Sequence, residues 1–217
     1  MNTRIQKLDK KQHWAFDGLY KFYNKRFFEN RLSSCEFGLK TGGHQMGSYY
    51  PSYRRGIFFN KMSPATITLN PNYFYRGLKE VCAVFLHEQV HHWEFTAKGE
   101  NPGRGNYHNQ RFADKMAEVG IICSQTGRPG GAATGTGMSQ YIEAGGVFEK
   151  SMQEMPSQLK TAWEAIVTPY LKTQTYPIVQ SPNHFSEIIN YPQPRLRTIV
   201  RQVRTITVVQ EIIKEEW

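Results

Sequence analysis

The chain of 217 residues is long enough for one domain and an extension, and a fold of that length buries roughly 70% of the surface its unfolded chain exposes. With 39% hydrophobic residues, 21% charged residues and a mean hydropathy of -0.58, the composition is neither that of a membrane protein nor that of a disordered one. The net charge is +9, and all of the excess sits in residues 1–80, with 14 Lys/Arg against 5 Asp/Glu; residues 81–140 hold 5 of each and residues 141–217 hold 8 of each.

That asymmetry favours an anionic partner, and nucleic acid is the usual one because each neutralised phosphate releases counterions. The longest apolar run, Val81 to Leu86, is far short of the about 20 residues that cross a bilayer, so no membrane partner is expected. The opening MNTRIQKLDKKQHW is polar and lacks the apolar core of a signal peptide, which predicts a cytoplasmic protein. Cys35, Cys82 and Cys123 are odd in number, widely spaced and without a CxxC pair. They argue against a disulfide framework and against a cysteine zinc ribbon, so any metal must rely on other ligands.

From Leu8 to Phe28 the positions Trp14, Phe16, Leu19, Tyr20, Tyr23 and Phe27 recur at three- and four-residue steps, which predicts a first amphipathic helix. The stretches NRLSSCEFGLKTG, MGSYYPSY and IFFNKMSPATITLN then read as two or three antiparallel strands, with Ala65 to Leu69 the clearest. Asn70, Pro71 and Asn72 break that strand, and Leu78, Val81, Cys82, Phe85, Leu86, Val90 and Trp93 mark a second helix from Tyr75 to about Phe95. After the polar TAKGENPGRGN, a third helix is expected from about Tyr107 to Cys123. QTGRPGGAATGTG reads as a flexible loop, since neither a leading strand nor a Gly-Lys-Ser/Thr ending makes it a phosphate loop. A helix from Ser157 to Lys172, a proline-bearing stretch and a β-branched tail from Thr198 to Ile213 complete the chain.

Within the second helix, His87, Glu88, Gln89, Val90 and His91 spell HExxH. Histidines four apart share one helical face, so both imidazoles reach a single ion, and Zn2+ is the cofactor this predicts. Glu88, about 100° further round the helix, stands beside the ion, placed to take a proton from activated water. For this composition the motif arises by chance in only about 1.5% of sequences, and its apolar VCAVFL setting speaks against a surface ornament. Catalytic zinc takes three protein ligands and keeps one place for water. His108 is the preferred third ligand, brought back by the glycine-containing loop, and Glu94 is its rival. His92 lies off the ligand face and is expected to pack or face solvent; His13, His44 and His184 have no ligand spacing.

The YNKRFFENRL helix end, the Gly-Ser-Tyr strand, ITLNP, HEQVHHW and YHNQRFADKM, in that order, resemble the SprT-like zinc metalloproteases, which include the Spartan proteases acting on DNA-bound proteins. The resemblance spans about residues 15–122. It implies an α+β fold, a zincin-like metalloprotease domain with a small antiparallel sheet packed on helices, the HExxH helix at its centre and a C-terminal extension. It implies that His87, His91 and His108 bind zinc and that Glu88 is the catalytic base. The expected organisation is a metalloprotease domain at 1–124, a Gly-rich loop at 125–140 and an extension at 141–217. SQTGRPGGAATGTGMSQYI is also similar to a segment of phage and mobile-element members. Many SprT-like proteins carry a C-terminal cysteine zinc ribbon that holds nucleic acid, but no cysteine follows Cys123 here: either the tail RLRTIVRQVRTITVVQEIIKEEW replaces it or that function is absent, and the basic residues 1–80 carry whatever contact exists.

The expected function is therefore an intracellular zinc endopeptidase acting on protein substrates associated with nucleic acid. Substrate would lie extended along the MGSYYPSY edge. Tyr49, Tyr50, His44 and Tyr107 are the candidates for steadying the oxyanion. Two alternatives stand: a non-catalytic nucleic-acid-binding module with a structural zinc, using Tyr49, Tyr50, Tyr53, Phe58 and Phe59 among Arg54, Arg55 and Lys61, and zinc-dependent hydrolysis of a non-peptide bond.

Overall fold

The computed structural model describes residues 5–54, 62–98, 107–171, 199–202 and 205–208. Strand β1 (Gln6–Lys7) leads into helix α1 (Lys10–Phe28). Asp9 caps that helix reciprocally: its Oδ1 accepts from the Gln12 N–H at 2.8 Å, and its own N–H donates to Gln12 Oε1 at 3.1 Å. Left-handed Glu29 and Asn30 end the helix, and buried Asn24 pins the exit by exchanging two 3.1 Å hydrogen bonds with the Leu32 backbone.

Strands β2 (Glu36–Leu39), β3 (Gly47–Tyr50), β4 (Tyr53–Arg54), β5 (Met62–Ser63) and β6 (Thr66–Leu69) follow. The four-stranded sheet has the order β1-β2-β6-β3, while β4 and β5 pair separately. Here the expectation of a small antiparallel sheet is corrected to a mixed one: β3 pairs antiparallel with β6, but β2 pairs with β6 in parallel, Phe37 opposite Ile67. Ile67, Thr68 and Leu69 are all buried, so β6 takes the centre, and the chain returns to it after crossing to the far side through β3. Among the described residues strand β3 lies at the end of the sheet, with no strand on its outer edge.

A 3-10 turn over Pro71–Arg76 leads into α2 (Leu78–Lys98). The six consecutive residues Val81 to Leu86 are buried, so this helix is wrapped on every side and lies in the middle of the domain, not against it by one stripe. Phe85 meets Phe16 of α1 and Phe37 of β2 at ring distances of 5.8 and 5.9 Å. Burying each such side chain contributes about 1.5–3 kcal/mol.

The third helix is shorter than its expected 107–123. The segment divides into strand β7 (Tyr107–His108), helix α3 (Gln110–Glu118) and strand β8 (Ile121–Ser124). Asn109 starts the helix by accepting from the Phe112 N–H, and Gly120, at φ 81, ends it before the β-branched Ile121 and Ile122. The stretch read as a Gly-rich loop contains β9 (Gly135–Thr136), paired with β7, and leads into β10 (Ser139–Ile142), paired with β8.

The extension begins with helices α4 (Val147–Glu154) and α5 (Ser157–Leu171). Trp163 of α5 is fully buried, donates from Nε1 to the Ala15 carbonyl at 2.9 Å and packs on Phe16 at 4.7 Å. Residues Met1–Thr173 form one compact unit and Gln174–Trp217 a second. In the second, β11 (Ile199–Gln202) and β12 (Thr205–Val208) make an antiparallel pair within the β-branched tail. Among the described residues no helix is long and apolar enough to cross a membrane.

Candidate active site

Helix α2 sets His87 and His91 one turn apart with ring centroids 4.9 Å from each other. Strand β7 delivers His108 to the same point, its ring 4.9 Å from His87 and 4.9 Å from His91. One nitrogen from each of the three imidazoles lies within 4.8 Å of the others, and the His91 and His108 Nε2 atoms are 3.1 Å apart. Phe112, one turn into α3, forms the floor: its ring stacks on His108 at 4.4 Å and on His91 at 4.1 Å, and meets His87 edge-on at 5.0 Å. His87 and His91 are half-buried, so one side of the cluster faces solvent.

The donor set suits zinc. Burial pushes the His87 pKa down to about 3, helped by neighbouring His108, and that of His108 down to about 4; burial and the two neighbouring imidazoles hold His91 well below its ordinary value. All three rings are therefore neutral and offer lone pairs. The Nε2 atoms of His91 and His108 face each other at 3.1 Å, two ring nitrogens turned towards one point. A cation with bonds of about 2.0–2.1 Å to nitrogen satisfies such a cluster, whereas an empty one leaves polar groups uncompensated.

Glu88 is 6% exposed and lies against the open edge of β3. Burial raises its pKa to about 8, opposed by a hydrogen bond from the Tyr49 backbone. The strand register explains that contact. The Asn70 N–H donates to the Met46 carbonyl at 2.8 Å, so Met46, Ser48 and Tyr50 face β6 while Gly47 and Tyr49 turn their backbone groups outward. At residue 47 nothing larger than glycine fits: a Cβ there would lie 2.7 Å from Glu88 Oε1 and 2.8 Å from Val84 Cγ1. Gly47→Ala is expected to displace the carboxylate, lower turnover about 10- to 100-fold and leave zinc content unchanged. Steady-state kinetics beside elemental analysis checks it; an unimpaired kcat would contradict the fit.

Glu94 does not join the cluster. It is 2% exposed and accepts a 2.6 Å hydrogen bond from Asn109 Nδ2, tying the cap of α3, next to His108, back onto α2. His92 packs inside, with Nδ1 3.0 Å from the Tyr49 hydroxyl and Nε2 3.1 Å from the Ser33 carbonyl. Of the oxyanion candidates, Tyr49 is thus engaged with His92, and the Tyr50 hydroxyl accepts from Lys40 Nζ at 2.6 Å. His44 and Tyr107 are exposed. His184, Phe58, Phe59, Arg55 and Lys61 lie outside the described residues, as do the side chains of Tyr53 and Arg54. Sequence reading missed Gly47, Phe112 and Gln140, whose Oε1 is 2.8 Å from His87 Nδ1.

The model of the SprT-like family matches residues 16–129, more than half of the chain and the whole of the site's helix pair. The chain belongs to the SprT-like family. No curated protein and no solved structure matches it. In this SprT-like chain, three gathered imidazoles with Glu88 beside them make a zinc site of the HExxH metallopeptidase type.

The same shifts set the pH profile of the metal-free SprT-like protein. His87, His91, His92 and His108 all have pKa values below their ordinary 6.5, so acidification protonates the unfolded chain first, and stability falls as pH drops below about 6.5 towards 4. Glu88 acts oppositely. Its folded carboxyl holds a proton that the unfolded one releases near 4.5, so its contribution is complete below that pH and is lost as pH rises through about 8. Four imidazoles outweigh one carboxyl below 6.5, and the carboxyl alone acts above it. In chelator, Tm should therefore peak near pH 6.5; a Tm still climbing at pH 8 would contradict these environments.

Proposed function

We propose that the protein is a zinc-dependent endopeptidase acting on nucleic-acid-associated proteins in the cytoplasm, with His87, His91 and His108 as zinc ligands and Glu88 as general base. The observation that carries this reading is a triangle of neutral imidazoles with a buried carboxyl group beside it, set against the open edge of β3. Bound there, zinc supplies Lewis acidity, lowering the pKa of water towards 7 and polarising a carbonyl. The protein residues do the rest. Glu88 takes the proton of the attacking water and hands it to the leaving amine. The Tyr49 N–H holds the carboxylate in place, and the outer edge of β3, which has no neighbouring strand among the described residues, offers an extended peptide the backbone groups of Gly47 and the Tyr49 carbonyl on which to align. Phe112 walls one side of the imidazoles and keeps their spacing.

For nucleic acid, the support is α1. Lys10, Lys11, Lys21 and Lys25 are exposed along it, and Trp14, 52% exposed, shares a face with Lys10 and Lys11. An exposed indole among lysines suits stacking on a base with phosphate contact alongside. The test incubates the purified protein with a DNA-binding protein, with and without single-stranded DNA and with a chelator control. Chelator-sensitive cleavage that requires DNA is expected; cleavage indifferent to DNA would separate the protease from the basic helix. No cleavage of any protein by the zinc-loaded enzyme would refute the peptidase.

A further inference from the structure

One polar contact of the site comes from outside the family-matched region. Gln140 lies on β10, beyond residues 16–129, and its Oε1 is 2.8 Å from Nδ1 of His87. The segment carrying it touches the site a second time: Gly135 of β9 pairs with His108 itself, and Thr136 pairs with Tyr107. Left-handed Gly137, at φ 63, turns the chain between these strands. Strand β10 is in turn seated on β8, with Gln140 opposite buried Cys123, and β8 directly follows α3, which carries Phe112.

We infer that the Gly135–Ile142 segment is a clasp that completes the metal centre and that Gln140 is a positioning residue acting through His87. The inference rests on the zinc reading above. A neutral imidazole has two tautomers, and only one presents a lone pair on Nε2. By accepting a hydrogen bond from Nδ1–H, the Gln140 amide oxygen selects that tautomer and fixes the ring plane, while β9 holds the strand that carries His108. The clasp thus serves a ligand from α2 and a ligand from β7 at once. A leucine at position 140 fills similar space but accepts nothing, so the proton is free to settle on the nitrogen that must bind metal.

The test compares the full chain with Gln140→Leu, Gln140→Asn and Gln140→Glu. Three quantities are read: the zinc Kd by chelator competition, the absorption spectrum of the cobalt(II)-substituted protein, and Tm in chelator. Leucine, and asparagine, which keeps the amide but falls short of His87, should each raise the zinc Kd about 10- to 100-fold and alter the cobalt spectrum. Tm in chelator should stay within about 2 °C of the parent value for the asparagine variant, which excludes a general loss of fold. Glutamate accepts the same hydrogen bond and should restore the parent Kd to within about threefold. A zinc-binding parent whose affinity is matched by both leucine and asparagine, or a glutamate variant as weak as leucine, would overturn this inference alone. A parent chain with no affinity for zinc would overturn the metallopeptidase reading beneath it.

Discussion

Glu88→Gln is expected to keep zinc at the parent level and to lower peptidase turnover by at least about 100-fold, the lower end of what a positioned general base contributes. The substitution is close to isosteric, and the amide oxygen still accepts from the Tyr49 N–H, so the packing against Gly47 survives. All three imidazoles are untouched. What disappears is basicity. The buried carboxyl, with a pKa raised to about 8 in the metal-free fold, is drawn back towards ionisation by a neighbouring dication, which leaves it near the working pH where a base is most effective. Elemental analysis and kcat on a cleaved protein measure the two halves of this expectation. Undiminished turnover would remove Glu88 from the chemistry, and lost zinc would make it a ligand.

The parts of the site legible in the sequence are those set by helical periodicity. His87 and His91 are four residues apart on one continuous helix, so their convergence needed no tertiary information, and Glu88 follows from the same rotation. The rotation that aligns Tyr20 with Tyr23 likewise placed the buried face of α1. What stayed hidden depends on pairing between distant segments. The sequence offers His108 as the third member of the cluster and the structure brings it there, yet it rides on a strand and not in a helix, because β9 arrives from residue 135 to pair with it. Gln140 carries no local signal: it is one polar residue in SQYI, and only the pairing of β10 with β8 brings it to His87. The parallel pairing of β2 with β6 was invisible for the same reason, since strand character specifies neither neighbour nor direction. Gly47 read as a strand residue of no note; its meaning is the space it leaves for Glu88. Glu94 matched the spacing of a ligand, but α3 placed Asn109 within 2.6 Å of it and took its carboxylate.

That difference between Glu94 and His108 leads to the second large effect. His108→Ala is expected to abolish stoichiometric zinc at micromolar metal and to weaken binding by more than about 100-fold, beyond the cost of losing a partner that only orients a ligand. Two imidazoles on one helix remain, and two nitrogens do not define a closed tetrahedral site. The fold should survive, because Asn109 still caps α3 and Phe112 keeps its contacts with His87 and His91. Removing His108 also removes a buried nitrogen that has no protein partner, so in chelator the variant should melt no more than a few degrees from the parent. Glu94→Gln is the matched control: it retains an acceptor for Asn109 and should hold zinc with near-parent affinity. If zinc stayed with His108→Ala and left with Glu94→Gln, the carboxylate would be the third ligand, and α3 would have to turn Asn109 away from it when metal enters.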